Sequence, residues 1–116
     1  MYRIETVFIP VSEIQSAREW YSSVLGIEFG EVQFEHLCVA EMQGATVILD
    51  MMPKWRNENG ELPVLQAPVI QFGTDDIEAS FHKMKDKDVE MVTGIEHGHY
   101  FVFKDPDGNR LMVSQC

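Results

Sequence analysis

One order of elements passes through this chain of 116 residues twice, and that repetition limits the possible folds more than any single motif. Val11-Ser12-Glu13-Ile14-Gln15-Ser16-Ala17 overlays Thr74-Asp75-Asp76-Ile77-Glu78-Ala79-Ser80, so Ile14 matches Ile77 at an offset of 77 − 14 = 63. Identity between the halves is weak, and the shared pattern carries the argument. Residues 4–11 alternate as a strand, with Val7, Ile9 and Val11 on one face and Ile4, Thr6 and Phe8 on the other. Ser12 can cap a helix, with Gln15 at capping-box spacing. The helix covers 13–24 on a stripe of Ile14, Ala17, Tyr21 and Val24, with Trp20 beside it and Gly26 as C-cap. Apolar runs over 27–34, 36–42 and 46–52 predict three strands, with a turn at Gln43-Gly44.

A polar loop over 53–63, with Asn59-Gly60 inside it, is long enough to serve as a mobile edge or lid. The order then repeats. A strand over 68–72 leads to a helix capped by Thr74 or Asp75 and reaching about residue 87, with Ile77, Phe81 and Met84 buried. Strands follow over 89–93, 99–104 and 110–114. The last two are joined by Asp105-Pro106-Asp107-Gly108-Asn109. There Pro106 presets φ, the aspartates can bond their own backbone, and Gly108 supplies a positive φ.

Each helix must cover one face of its sheet, which leaves the other face for something else. The expected fold is therefore α+β and a single domain over 1–116. It is built of two βαβββ modules, over about 1–52 and 64–116, with the loop 53–63 between them.

The net charge of −10 and a pI near 4.6 argue against nucleic acid and anionic membranes, which select basic patches. No apolar run reaches signal-peptide or membrane-span length. The two cysteines, Cys38 and Cys116, imply no disulfide framework, so a reducing, cytoplasmic setting is expected.

Three segments carry a family resemblance. They are Ala17-Arg18-Glu19-Trp20-Tyr21-Ser22-Ser23-Val24-Leu25-Gly26, then Asp75-Asp76-Ile77, then Phe103-Lys104-Asp105-Pro106-Asp107-Gly108-Asn109. With the repeated layout, the chain resembles the vicinal oxygen chelate superfamily. That group includes glyoxalase I, extradiol dioxygenases, and fosfomycin- and bleomycin-resistance proteins. The resemblance implies that the two modules form a curled mixed-sheet cup holding the ligand and, in the enzymes, a divalent metal. It also implies a homodimer.

The family's metal ligands are His and Glu on four strands. One position lies eight residues before the residue opening each helix, giving 14 − 8 = 6 and 77 − 8 = 69, that is, Thr6 and Val69. Another lies four past the turn glycine, giving 108 + 4 = 112, or Met112. The fourth falls at Ile48, with Asp50 the nearest acid of the same parity. None of Thr6, Ile48, Val69 and Met112 offers imidazole or carboxylate, so no metal cofactor is expected there.

Strand parity places Thr6, Phe8, Ile48, Asp50, Met52, Val69, Gln71, Met112 and Ser114 in the cup, with Arg110 and Thr46 beside them. Trp55, in the polar loop, stacks on a ligand at the mouth, joins a dimer interface, or simply packs. An apolar lining with a few polar groups suits a small organic ligand.

Competing chemistry is thinner. His97-Gly98-His99, extended, would set two imidazoles on one face near Glu96. With His36, Glu41 or Asp50 it would make a relocated metal site, and hence a metal-dependent lyase or dioxygenase. A solvated loop before a strand explains the same residues. Asp75-Asp76 and Asp105-Asp107 are explained by capping and turn formation. Cys38 lies in an apolar run with no basic neighbour. The leading expectation is a metal-free small-molecule binder like the bleomycin-resistance branch, with no catalytic residue assigned. A third reading is an interaction module with a degenerate cup.

Overall fold

The computed structural model describes residues 1–115. Cys116, for which no disulfide was expected, lies outside them. Two compact units divide the chain, the first over Met1–Val64 and the second beginning at Leu65.

In the first unit, β1 (Thr6–Pro10) leads through a tight connection into α1 (Ile14–Leu25). β2 (Leu37–Ala40) and β3 (Thr46–Asp50) follow. β3 is central, parallel to β1 and antiparallel to β2. α1 rests against β2 and β3. Its stripe of Ile14, Ala17, Tyr21 and Val24 is buried with Ile9, Cys38, Ala40, Val47 and Leu49. These are the alternate residues of each strand, so the pleat and the helical period meet on one layer.

The helix ends as expected. Gly26, at φ 67°, donates its N–H to the Ser22 carbonyl, and Ile27 N–H closes on Tyr21. Its start differs by one residue. The cap is Glu13, not Ser12, and the Glu13 carboxylate accepts the Ser16 N–H at 2.6 Å. That bond holds the Glu13 carboxyl below its ordinary value. A carboxyl lowered in the folded state stabilises fully above its unfolded pKa and loses that effect as pH falls through the folded one. Glu13→Ala should therefore lower the melting temperature at neutral pH, and the gap should close on acidification below the carboxylate range. A gap unchanged in acid would exclude the carboxylate as the cap.

The second unit contains β4 (Gln71–Gly73), α2 (Ile77–Asp86), β5 (Glu90–Met91), β6 (Tyr100–Lys104) and β7 (Arg110–Ser114). Its sheet order is β4-β7-β6-β5, with only the β4–β7 pair parallel. The cap of α2 is Asp76, not the expected Thr74 or Asp75, and it accepts the Ala79 N–H at 3.0 Å. Phe81 on α2 meets Phe101 on β6 edge-on, with ring centroids 5.2 Å apart.

The repeat is closer in structure than in sequence. Glu13 and Asp76, the two caps, share the offset of 63. So do the turns at 33–37 and 96–100, in which Gln33 and Glu96 each exchange backbone hydrogen bonds with the residue four further on.

Residues 27–34, expected as a strand, form none. Ile27 and Phe29 do alternate inward. However, its only sheet-like backbone pairings are the Gly30 N–H to Val39 carbonyl bond and an isolated Gln33–Leu37 bridge. The tight turn that follows, with Phe34 and Glu35 at positive φ, ends the pairing. Its counterpart β5 is also short, at two residues. Among the described residues no helix is long and apolar enough to cross a membrane.

Candidate functional site

Strand alternation puts Thr6 and Phe8 of β1, Thr46, Ile48 and Asp50 of β3, and Leu37 and Val39 of β2 on the face away from α1. Phe8, Ile48 and Val39 form one row across the three strands. Phe8 keeps 45% of its surface exposed, a large apolar side chain on a sheet with its other face filled. Val39, Leu37 and Thr46 complete this face; their register with β3 fixes the first two.

At the end of β3 the lining turns polar. Asp50 is only 8% exposed, and its Oδ1 accepts from His36 Nδ1 at 3.0 Å and from the Met52 N–H at 2.8 Å. His36 enters through the turn at 33–37, whose positive-φ residues bring the chain back at once. Met52, expected in a strand, lies beyond β3 at φ 55°, so alternation does not orient it.

The loop after Met52 is braced from within. Arg56 donates to the carbonyls of Met51 (3.0 Å) and Gly60 (3.2 Å). Asn57 Oδ1 accepts the N–H groups of Asn59 and Glu61. This frame presents Trp55 at 73% exposure, which rules out a role as buried packing within the unit.

In the second unit, Gln71, Met112 and Val102 share a row on the face away from the Phe72–Val113–Phe101 row that packs toward α2. Gln71 Nε2 is hydrogen-bonded to Ser114 Oγ. Ser114 itself is buried. Val69 precedes β4 and is exposed, its N–H turned back onto the Ala67 carbonyl.

The residues at the family's four ligand positions remain a hydroxyl, a thioether and two aliphatic chains, and they do not fit a divalent metal. Among the described residues no group of three or more His, Cys, Asp and Glu side chains could hold one. His97 and Gly98 adopt positive φ in a tight turn, so His97-Gly98-His99 is not extended and its imidazoles do not line one strand face. His99 Nδ1 lies 3.4 Å from the Gln115 carbonyl instead. Cys38 is buried beneath α1, and loss of solvent pushes its thiol up to about 11, far from a nucleophile's range.

A separate depression of about 330 Å³ lies beside α1, lined by Arg18, Glu19, Ser22, Ser23, Glu28 and Phe29. Arg18 spans it by donating to the Phe29 carbonyl.

No curated protein matches the chain. Solved structures do. A glyoxalase/bleomycin resistance protein/dioxygenase superfamily member from Sphaerobacter thermophilus is 20% identical, with 100% of this chain and 98% of that one covered at a TM-score of 0.77. TnmS3, an antibiotic-binding protein from Streptomyces sp. CB03234, is 19% identical over 99% and 96% at 0.76. A lactoylglutathione lyase from Agrobacterium tumefaciens is 16% identical over 99% and 94% at 0.75. At such identities these likenesses establish the fold alone. A family model matches residues 3–113, and on that match the chain belongs to the Glyoxalase/Bleomycin resistance protein/Dioxygenase superfamily.

Proposed function

We propose that this protein binds a small, largely apolar organic molecule on the open faces of its sheets, without a metal at the family's ligand positions. The observation that carries the reading is the row of Phe8, Ile48 and Val39, an apolar surface left on a sheet whose other face is already filled. On the first unit's face the proposed contacts also include Thr6, Asp50, Met52 and Trp55; on the second unit's own face they are Val69, Gln71, Met112 and Ser114. Apolar walls supply affinity, and Asp50, Gln71 and Ser114 fix orientation. Side chains at the family's ligand positions that do not suit a metal favour this over lyase chemistry. We further propose that the protein acts in the cytoplasm as a homodimer.

The test joins metal analysis of the purified protein with thermal shifts against a panel of aromatic compounds and antibiotics. Substoichiometric metal and a rise of several degrees with one compound class, removed by Phe8→Ser, is the expected result. Stoichiometric zinc, nickel, manganese or iron that is lost in His36→Gln would overturn it in favour of a metal enzyme. A panel without any thermal response would leave an interaction module as the better description.

A further inference from the structure

His36 and Asp50 are fourteen positions apart in sequence and meet through the β2–β3 pairing, where Leu37 stands opposite Asp50. A carboxylate only accepts, so the 3.0 Å contact fixes the His36 proton on Nδ1. In the neutral ring Nε2 then carries a lone pair. The side chain of His36 is 30% exposed, so its ring is open to solvent in part, whereas Asp50 is nearly covered and held by the Met52 N–H as well. The imidazole is thus oriented by a buried carboxylate and presented at a surface, an arrangement suited to receiving a proton. Asp50 lies two residues from Ile48 on the same strand face, roughly 7 Å along the strand from the Phe8–Ile48–Val39 row. That distance is about one aromatic ring and its substituent.

We infer that His36 Nε2 takes the proton of an acidic hydroxyl, phenolic or enolic, on the ring of the bound ligand. Asp50 is the positioning residue. The inference rests on the small-molecule reading above and adds the ligand's chemical class. The proton passes from the ligand oxygen to Nε2 while Nδ1 keeps its own against Asp50. No bond to carbon forms or breaks, and the products are a ligand oxyanion and an imidazolium. The resulting ion pair sits beside a carboxylate that stabilises the imidazolium.

The probes are para-nitrophenol, whose phenolate is yellow, and nitrobenzene, which lacks the hydroxyl. At a pH where free nitrophenol is uncharged, the bound compound should show the phenolate band. His36→Gln should lose that band and bind nitrophenol roughly tenfold more weakly, with nitrobenzene affinity unchanged. Asp50→Asn should weaken the band and raise the share of the Nε2-protonated tautomer in the His36 nitrogen shifts, a signature that a merely structural role would not move. Nitrogen chemical shifts of His36 in the unaltered protein should place the neutral ring's proton on Nδ1, which needs no variant. A phenol spectrum in the unaltered protein, a band that survives His36→Gln, or a neutral proton on Nε2 would each overturn the inference alone. If neither compound binds, the small-molecule reading falls and takes this inference with it.

Discussion

Phe101→Ala is expected to lower the unfolding free energy by about 3 to 5 kcal/mol, seen as a fall in the urea midpoint. Phe101 is fully buried in the centre of the second unit. It stands opposite Val113 on β7 and meets Phe81 of α2 edge-on, with Phe103 tilted 6.3 Å away. Truncation removes the ring's burial and both aromatic contacts, and the β6–β7 backbone cannot collapse into the space because its ladder is continuous. With a total stability of about 5 to 15 kcal/mol typical for a domain, this is a large share. Phe101→Leu keeps much of the volume and should cost about 1.5 kcal/mol or less. An alanine variant within about 1 kcal/mol of the parent would show that α2 does not depend on this contact.

Asn109→Ala should be nearly as damaging, at about 2 to 4 kcal/mol, although it removes only one amide. Asn109 has no exposed surface. Its Oδ1 accepts the Leu65 N–H at 2.7 Å, and its Nδ2 donates to Asp105 Oδ2 at 2.8 Å. Asp105 Oδ1 meanwhile accepts the N–H groups of Asp107 and Asn109. Alanine takes an acceptor from the part-buried Leu65 N–H and a donor from the buried Asp105 carboxylate. Asn109→Asp is the informative companion. It keeps the acceptor for Leu65 but sets a second carboxylate against Asp105, so its stability deficit should shrink on acidification. Equal deficits for the Asp variant at neutral and acid pH would rule out the Asp105 contact as the cause.

The turn around Asn109 was readable in the sequence because its chemistry is local: Pro106 and Gly108 set the backbone, and the aspartates bond within a few residues. The helices were readable for the same reason, since Ile14, Ala17, Tyr21 and Val24 announce a buried stripe. Their caps lie one or two residues later than expected: Ser12, Thr74 and Asp75 are all good capping residues, and the side chains that accept the first-turn N–H groups are those of Glu13 and Asp76. The apolar run over 27–34 suggested a strand, and Ile27 and Phe29 are indeed buried, but an apolar run does not report whether a backbone finds partners. The His36–Asp50 contact had the least local warning. It depends on a turn with Phe34 and Glu35 at positive φ, where neither residue favours that conformation. The equivalent turn at His97-Gly98, 63 residues further on, does contain a glycine, yet the sequence suggested only an extended segment or a loop there.

The irregular segment at 27–33 and the two-residue β5 occupy the same place in the two repeats, at the outer border of each sheet. A long, straight border strand would offer a row of free N–H and carbonyl groups on which another chain could build a sheet. Here that row is broken. In the first unit the ladder shrinks to isolated bonds around Gly30 and Gln33, and in the second Glu90 and Lys104 pair across the short strand at 3.2 Å. Incomplete pairing at these two borders therefore works as protection, allowing a β-rich chain to be concentrated without fibre growth from those edges.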